Sequence, residues 1–235
     1  MKILGMDTSS PSGSVALLDG NNLVSESLIE GSPAYSDKLL FEIDSMLNGS
    51  GTKLNEIDGF VITTGPGSFT GLRVGISLIK GFILATENPF ASVNTLEAYA
   101  KTVQPGPYTI CPVLDARKKE VYTALFNSES NQCVRATPDR AISAVDLCNQ
   151  IKQPTVFLGN GLDIYKDIFT SCLKENFVYK VPTKNLTVAA SAVLIANAQK
   201  NLHYELDSLI INYVRPSEAE LNYSIPKMRR RKNEY

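Results

Sequence analysis

Residues 3–18 read ILGMDTSSPSGSVALL, and residues 112–126 read PVLDARKKEVYTALF. In each stretch an apolar strand runs into an aspartate, Asp7 or Asp115. A short turn comes next, and then a second apolar strand. Short apolar runs separated by Gly, Pro, Ser and Asn predict antiparallel strands. The elements around the two hairpins come in one order. In the first half, strands at 2–7, 14–19 and 23–30 precede a helix at 36–48, a strand at 59–64 and a helix at 69–87. A strand at 90–93 and a helix at 96–101 complete it. In the second half, strands at 108–115, 120–127 and 133–137 precede a helix at 143–151, a strand at 155–158, a turn at Gly159-Asn160-Gly161 and a helix at 165–173. A helix at 187–200 and a strand at 209–214 come last. The repeated order predicts a duplicated α/β domain with mixed sheets flanked by helices. Gln104-Pro105-Gly106-Pro107 reads as the boundary, giving lobes over 1–104 and 105–220 and a basic tail over 221–235.

Composition narrows the function. The chain has 235 residues, 43% hydrophobic and 20% charged, which is ordinary globular usage. Lys plus Arg number 23 and Asp plus Glu 24, a net charge of −1, so bulk-charge binding of nucleic acid is not expected. There is one histidine, His203, which excludes any site needing two. The four cysteines, Cys111, Cys133, Cys148 and Cys172, form no C-x-x-C pair. The N-terminal apolar stretch is too short for a signal peptide, and no apolar run approaches the ~20 residues of a membrane span. Free thiols, a cytoplasmic location and no membrane partner are the resulting expectations.

An aspartate at the first strand end of each duplicated half is a way to build a phosphate cleft, with carboxylates holding magnesium. This is the actin, sugar kinase and Hsp70 arrangement, which the chain resembles in outline. The candidate cleft residues are Asp7, Thr8, Ser9, Asp115 and Arg117. Working phosphate loops of that kind carry Gly two residues after the Asp; this chain has Ser9 there, and the second tip has no Gly. In the plainer alternative, Asp7 and Asp115 cap turns and residues 117–119 are a solvated tip. Weak or no ATP binding is expected, with no cofactor and no metal. Gly65-Pro66-Gly67-Ser68 leads a strand into a helix. It is either an anion-binding helix start or a tight turn capped by Ser68 or Thr70.

That helix reads FTGLRVGISLIKGFILATE, with apolar residues most of the way round. A helix lying on a sheet with one face in water shows one apolar stripe. Either it is buried within one domain, or its outer face meets another subunit. With the apolar face of helix 36–48 beside it, the second reading is adopted. The interface residues expected are Leu39, Leu40, Ile43, Met46 and Leu47 of the first helix. From the second they are Gly71, Leu72, Arg73, Gly75, Ile76, Ile79 and Phe82, with the two glycines allowing close approach. No nucleophile has a base at hand, and the basic run at 228–232 reads as a solvated tail, with an RNA clamp as the alternative.

GPGSFTGLRVG at 65–75, MDTSSPSGSVAL at 6–17, LDARKKEVY at 114–122 and YVRPSEAE at 213–220 are the distinctive stretches of the chain. Together they resemble the bacterial TsaB (YeaZ) family over nearly the whole length. The resemblance implies a two-lobed actin/Hsp70-like fold. It also implies a subunit of the machinery that makes N6-threonylcarbamoyladenosine at position 37 of tRNAs reading A-starting codons. TsaB there pairs with its paralogue TsaD, which carries the metal site and nucleotide cleft and transfers the threonylcarbamoyl group. The ATPase TsaE joins the pair. The resemblance thus implies a non-catalytic scaffold that forms a heterodimer with TsaD and meets tRNA only through the complex; the shared apolar surface of the two helices is the expected seam for a second copy, as a homodimer, when TsaD is absent. The alternative is an enzyme in its own right, an actin-fold ATPase or kinase or a glycoprotease. Many family members have His-Ser at the start of the first helix, where this chain has Tyr35-Ser36.

Overall fold

Every residue of β1 (Lys2–Asp7) after Lys2 is buried, as is every residue of β4 (Gly59–Thr63). Strands apolar on both faces belong inside a sheet covered on both sides. The computed structural model, which describes residues 1–30, 35–129, 132–178 and 183–215, places them so. The side chains of Tyr35 and Ser36, residues 216–220 and the basic tail at 221–235 with its run at 228–232 lie outside the described residues.

β1, β2 (Gly13–Asp19) and β3 (Asn22–Ile29) form an antiparallel meander. After α1 (Tyr35–Gly49), β4 pairs parallel to β1; after α2 (Phe69–Thr86), β5 (Phe90–Val93) pairs parallel to β4. The sheet order is β3-β2-β1-β4-β5. Helix α3 (Thr95–Lys101) leads on to β6 (Tyr108–Asp115). The second sheet repeats the order as β10-β7-β6-β11-β12, formed by β7 (Glu120–Thr123), β10 (Arg140–Ser143), β11 (Thr155–Leu158) and β12 (Phe177–Val178). Its pairings run antiparallel and parallel in the same pattern. The duplicated, actin/Hsp70-like α/β fold is therefore the one observed.

The second lobe departs from its expected elements in four places. The strand expected at 120–127 breaks after Thr123, and β8 (Phe126–Glu129) with β9 (Gln132–Arg135) forms an inserted hairpin on β6. The third meander strand is β10, and α4 (Ala144–Gln150) comes after it. The expected Gly159-Asn160-Gly161 turn is the start of α5 (Asn160–Leu173). Gly159 holds φ at +99°, and a Cβ there would lie 2.6 Å from the Val113 carbonyl oxygen, so the tight entry needs glycine. Residues 209–214, expected as a strand, take an irregular path with no ladder of their own.

Packing crosses between the lobes. On one face of the first sheet, Leu4, Met6, Phe60 and Ile62 meet α1 and α2. On the other, Ile3, Ala16, Val61 and Ala91 meet α6 (Val188–Gln199). Helix α6 comes from the second half of the sequence, so the expected lobe over 105–220 loses it to the first sheet. Gly5 makes the contact close, for a Cβ there would sit 2.4 Å from Val193. In return, Leu96 and Ala100 of α3 pack with Ile110, Tyr122 and Phe126 of the second sheet. Each lobe lends its last helix to the other's sheet. Helix α2 is long and apolar enough to cross a membrane by length and composition, yet its inner face lies in the first-lobe core.

Candidate functional site

A cleft of about 370 Å³ opens where the two Asp-ended strands meet. The β1–β2 turn supplies Ser9 and Pro11 to its first-lobe wall, and the start of α2 supplies Phe69 and Arg73. The second-lobe wall includes Asp115, Arg117, Tyr122 and Asn160, and Arg215 closes it. Of the candidate cleft residues, Ser9, Asp115 and Arg117 line this space; Asp7 and Thr8 lie behind it, 1% and 0% exposed. The Asp7 carboxylate accepts from the Thr63 hydroxyl at 2.5 Å and from Ser9 N–H at 3.2 Å. Burial nonetheless raises its pKa, against the lowering by those hydrogen bonds. Asp115 accepts from Arg117 N–H at 2.9 Å and from the Tyr165 hydroxyl at 3.2 Å. Both aspartates thus accept from the amide two residues on, as turn-capping side chains do. The tip beyond Asp115 holds Arg117, Lys118 and Lys119 at φ of 59°, 53° and 64°. Three successive non-glycine residues in the left-handed region store strain of order 1 kcal/mol each.

Ser68 caps α2, accepting from Gly71 N–H at 3.2 Å, while its own N–H donates to Ser9 O at 2.7 Å. The Gly65–Ser68 loop therefore grips the β1–β2 turn. Gly67 allows this, since a Cβ there would lie 2.3 Å from Ser9 O.

A second hollow, about 490 Å³, runs between α1 and α2 on the outer surface. It is lined by Leu40 of α1 and by Thr70, Val74, Ser77 and Leu78 of α2. Phe69 and Arg73 form its end and belong to the cleft wall as well. Phe41 and Leu84, on the same two helices, are 68% and 70% exposed, with Leu40 at 47%.

The expected interface set divides against this surface. Leu39, Ile43, Met46 and Leu47 are buried in the core of this chain, as are Leu72, Gly75, Ile76 and Ile79. Gly71 and Phe82 are half-buried. Leu40 and Arg73 alone of the twelve are exposed. The two glycines face inward: a Cβ on Gly71 would lie 2.1 Å from Thr8 O, and one on Gly75 2.3 Å from Thr8 Oγ1. They admit the chain's own β1–β2 turn. Val74, Ser77 and Leu78 line the outer hollow instead, and none of them is in the expected set. Spacing gives a helix two apolar faces without saying which one the sheet takes. Arg215, Tyr122 and Asn160 are also outside the expected cleft set, since only the meeting of the lobes puts them there.

His203 packs its ring at 4.4 Å from Phe90 and meets Ser208 Oγ through Nδ1 at 3.2 Å, away from the cleft.

Comparison with known proteins fits this architecture. Residues 30–223 match the family described as "TsaD: tRNA N6-adenosine threonylcarbamoyltransferase". The Bacillus subtilis protein "tRNA threonylcarbamoyladenosine biosynthesis protein TsaB" is 26% identical over 227 residues, 95% of this chain and 98% of that one. The chain belongs to the TsaB (YeaZ) family, within that wider group. The Escherichia coli TsaB is 29% identical over 175 residues, covering 72% of this chain and 75% of that one. A Pseudomonas aeruginosa crystal structure, described as similar to peptidase YEAZ, superposes with a TM-score of 0.73 at 19% identity. It covers 91% of this chain and 99% of the other, which establishes a shared fold.

Proposed function

We propose that this chain works in tRNA threonylcarbamoyladenosine biosynthesis as a non-catalytic scaffold, docking the catalytic paralogue TsaD through the outer faces of α1 and α2. TsaE joins that pair, and tRNA is met only through the complex. The observation that carries the reading is the hollow between the helices, with Leu40, Val74 and Leu78 in its lining and Phe41 and Leu84 exposed on the same helices. An apolar hollow between two helices, with further exposed apolar side chains on the same helices, suits burial against a partner. The same surface pairs two copies of the chain when TsaD is absent.

The cleft supports a scaffold role from the other side. A magnesium-holding aspartate must be ionised and open to the cleft, whereas Asp7 is sealed and its pKa is raised. Weak or no binding of magnesium-ATP is the expected result.

The test is size-exclusion chromatography with purified TsaD. Val74→Glu and Leu40→Glu abolish co-elution in this reading, while circular dichroism stays native. Normal co-elution of both variants would place the interface elsewhere. Threonylcarbamoyl transfer by the chain alone would overturn the non-catalytic role.

A further inference from the structure

Residues 209–215 make no strand, yet they are held to both lobes. Leu209 is buried in the first-lobe core and Ile211 packs on it. Asn212 N–H donates to Thr64 O at 2.8 Å. The Tyr213 ring stacks on Phe69 at 4.7 Å, and its hydroxyl accepts from Arg73 Nε at 3.0 Å. Val214 leans on the second-lobe core, and Arg215 pairs with Glu120 and donates through Nη2 to Ala116 O at 2.9 Å. The Asn212 side chain donates to Asp139 at 2.9 Å. Asp139 in turn accepts from Arg135 of the second lobe and from Asn94, the cap of α3, each at 2.5 Å.

We propose that residues 209–215 are a built-in tie, which holds the two lobes at a fixed angle across the cleft without a bound ligand. The exchanged helices α3 and α6 join the two sheets at their faces, but they do not span the mouth of the cleft, where the walls can still part unless something bridges them. A separate ligand loses translational entropy when it bridges; a segment of the same chain, anchored by Leu209, has none left to lose. Anchors on the first lobe at Leu209, Ile211 and Tyr213 are joined by anchors on the second at Val214 and Arg215, so the tie resists opening at several points. It reaches further than the cleft. Phe69 and Arg73, which Tyr213 fixes, also form the end wall of the hollow between α1 and α2. The geometry of that surface is then set by the chain itself.

Hydrogen exchange read by mass spectrometry on the full chain, with no partner present, tests this separately from the docking reading. Tyr213→Ala combined with Arg215→Ala speeds exchange about tenfold at residues 67–76 and 116–122, the two cleft walls, and leaves peptides from β1, β4, β6 and β11 within about twofold. No change at the cleft walls overturns the proposal. Should the double variant also speed the sheets, Tyr213→Phe and Arg215→Gln are measured singly. Faster exchange confined to the cleft walls supports the tie, and any other pattern overturns it.

Discussion

Asp7 is a carboxyl group that the fold treats as a structural acceptor. Its raised pKa means that the folded state holds the proton more tightly than the unfolded state. This group's contribution is therefore present below the ordinary aspartate value of 3.8 and is lost as pH rises through the folded value. Asp7→Asn keeps the shape and removes that loss. The variant is expected to be at least as stable as wild type at pH 7, with the difference shrinking toward pH 4, by urea titration across that range. A carboxylate needed in its ionised form would show the opposite trend. Thiols behave in the same direction. Burial pushes Cys111 and Cys148 up to about 12, while Cys172 is exposed. At pH 8 native protein should label at Cys172 well before Cys111 or Cys148, since only thiolate reacts; mass spectrometry of alkylated peptides checks the order. Gly75 is an inward contact. Gly75→Ala should cost about 1–3 kcal/mol by overpacking against Thr8 and Ile62, and Gly75→Glu should fail to fold, both read by chemical denaturation and circular dichroism. A glycine on a partner-facing surface, as its spacing in the helix suggests, would leave the monomer intact in both variants.

Helix α1 shows how two neighbours from one expected set face opposite ways. Leu39 and Leu40 are neighbours in sequence, and one is buried while the other is 47% exposed. Leu39→Ala should cost about 2–5 kcal/mol of stability, as buried leucine truncations do. Leu40→Ala should change stability by less than about 0.5 kcal/mol and act on pairing instead. Chemical denaturation and co-elution with TsaD, run on both variants, separate the two effects. The period of 3.6 makes the helices legible at 36–48 and 69–87, within a residue of their observed ends. Strands β1, β5, β6 and β11 are legible to the residue, because turn and polar residues bound their apolar runs. The break after Thr123 is not, since apolar residues continue through it and the inserted hairpin is a choice of partners.

At the scale of the whole molecule, the lobes are not independent bodies in series. The face of the first sheet formed by Ile3, Ala16, Val61 and Ala91 is covered by α6, far beyond the expected lobe boundary after residue 104. A fragment ending at residue 104 should therefore bind a hydrophobic dye and show no cooperative thermal transition, while a chain ending at 215 melts as one unit. A cooperative fragment would show that α6 is dispensable to that sheet. The duplication, the types of most strands and helices and the family are legible in the sequence, and Ser9, Asp115 and Arg117, singled out there, do line the cleft. These rest on local patterns, apolar period, turn chemistry and motif, which are written in neighbouring residues. Tertiary structure alone decided that Gly71 and Gly75 face inward, that Asp7 is sealed, that the last helices are exchanged, and that Tyr213 and Arg215 reach across the cleft. Each of those depends on which distant surface a residue meets. Burial and contact are properties of the assembled pair of sheets, and no local pattern distinguishes the face of a helix that lies on its own sheet from the face left outward.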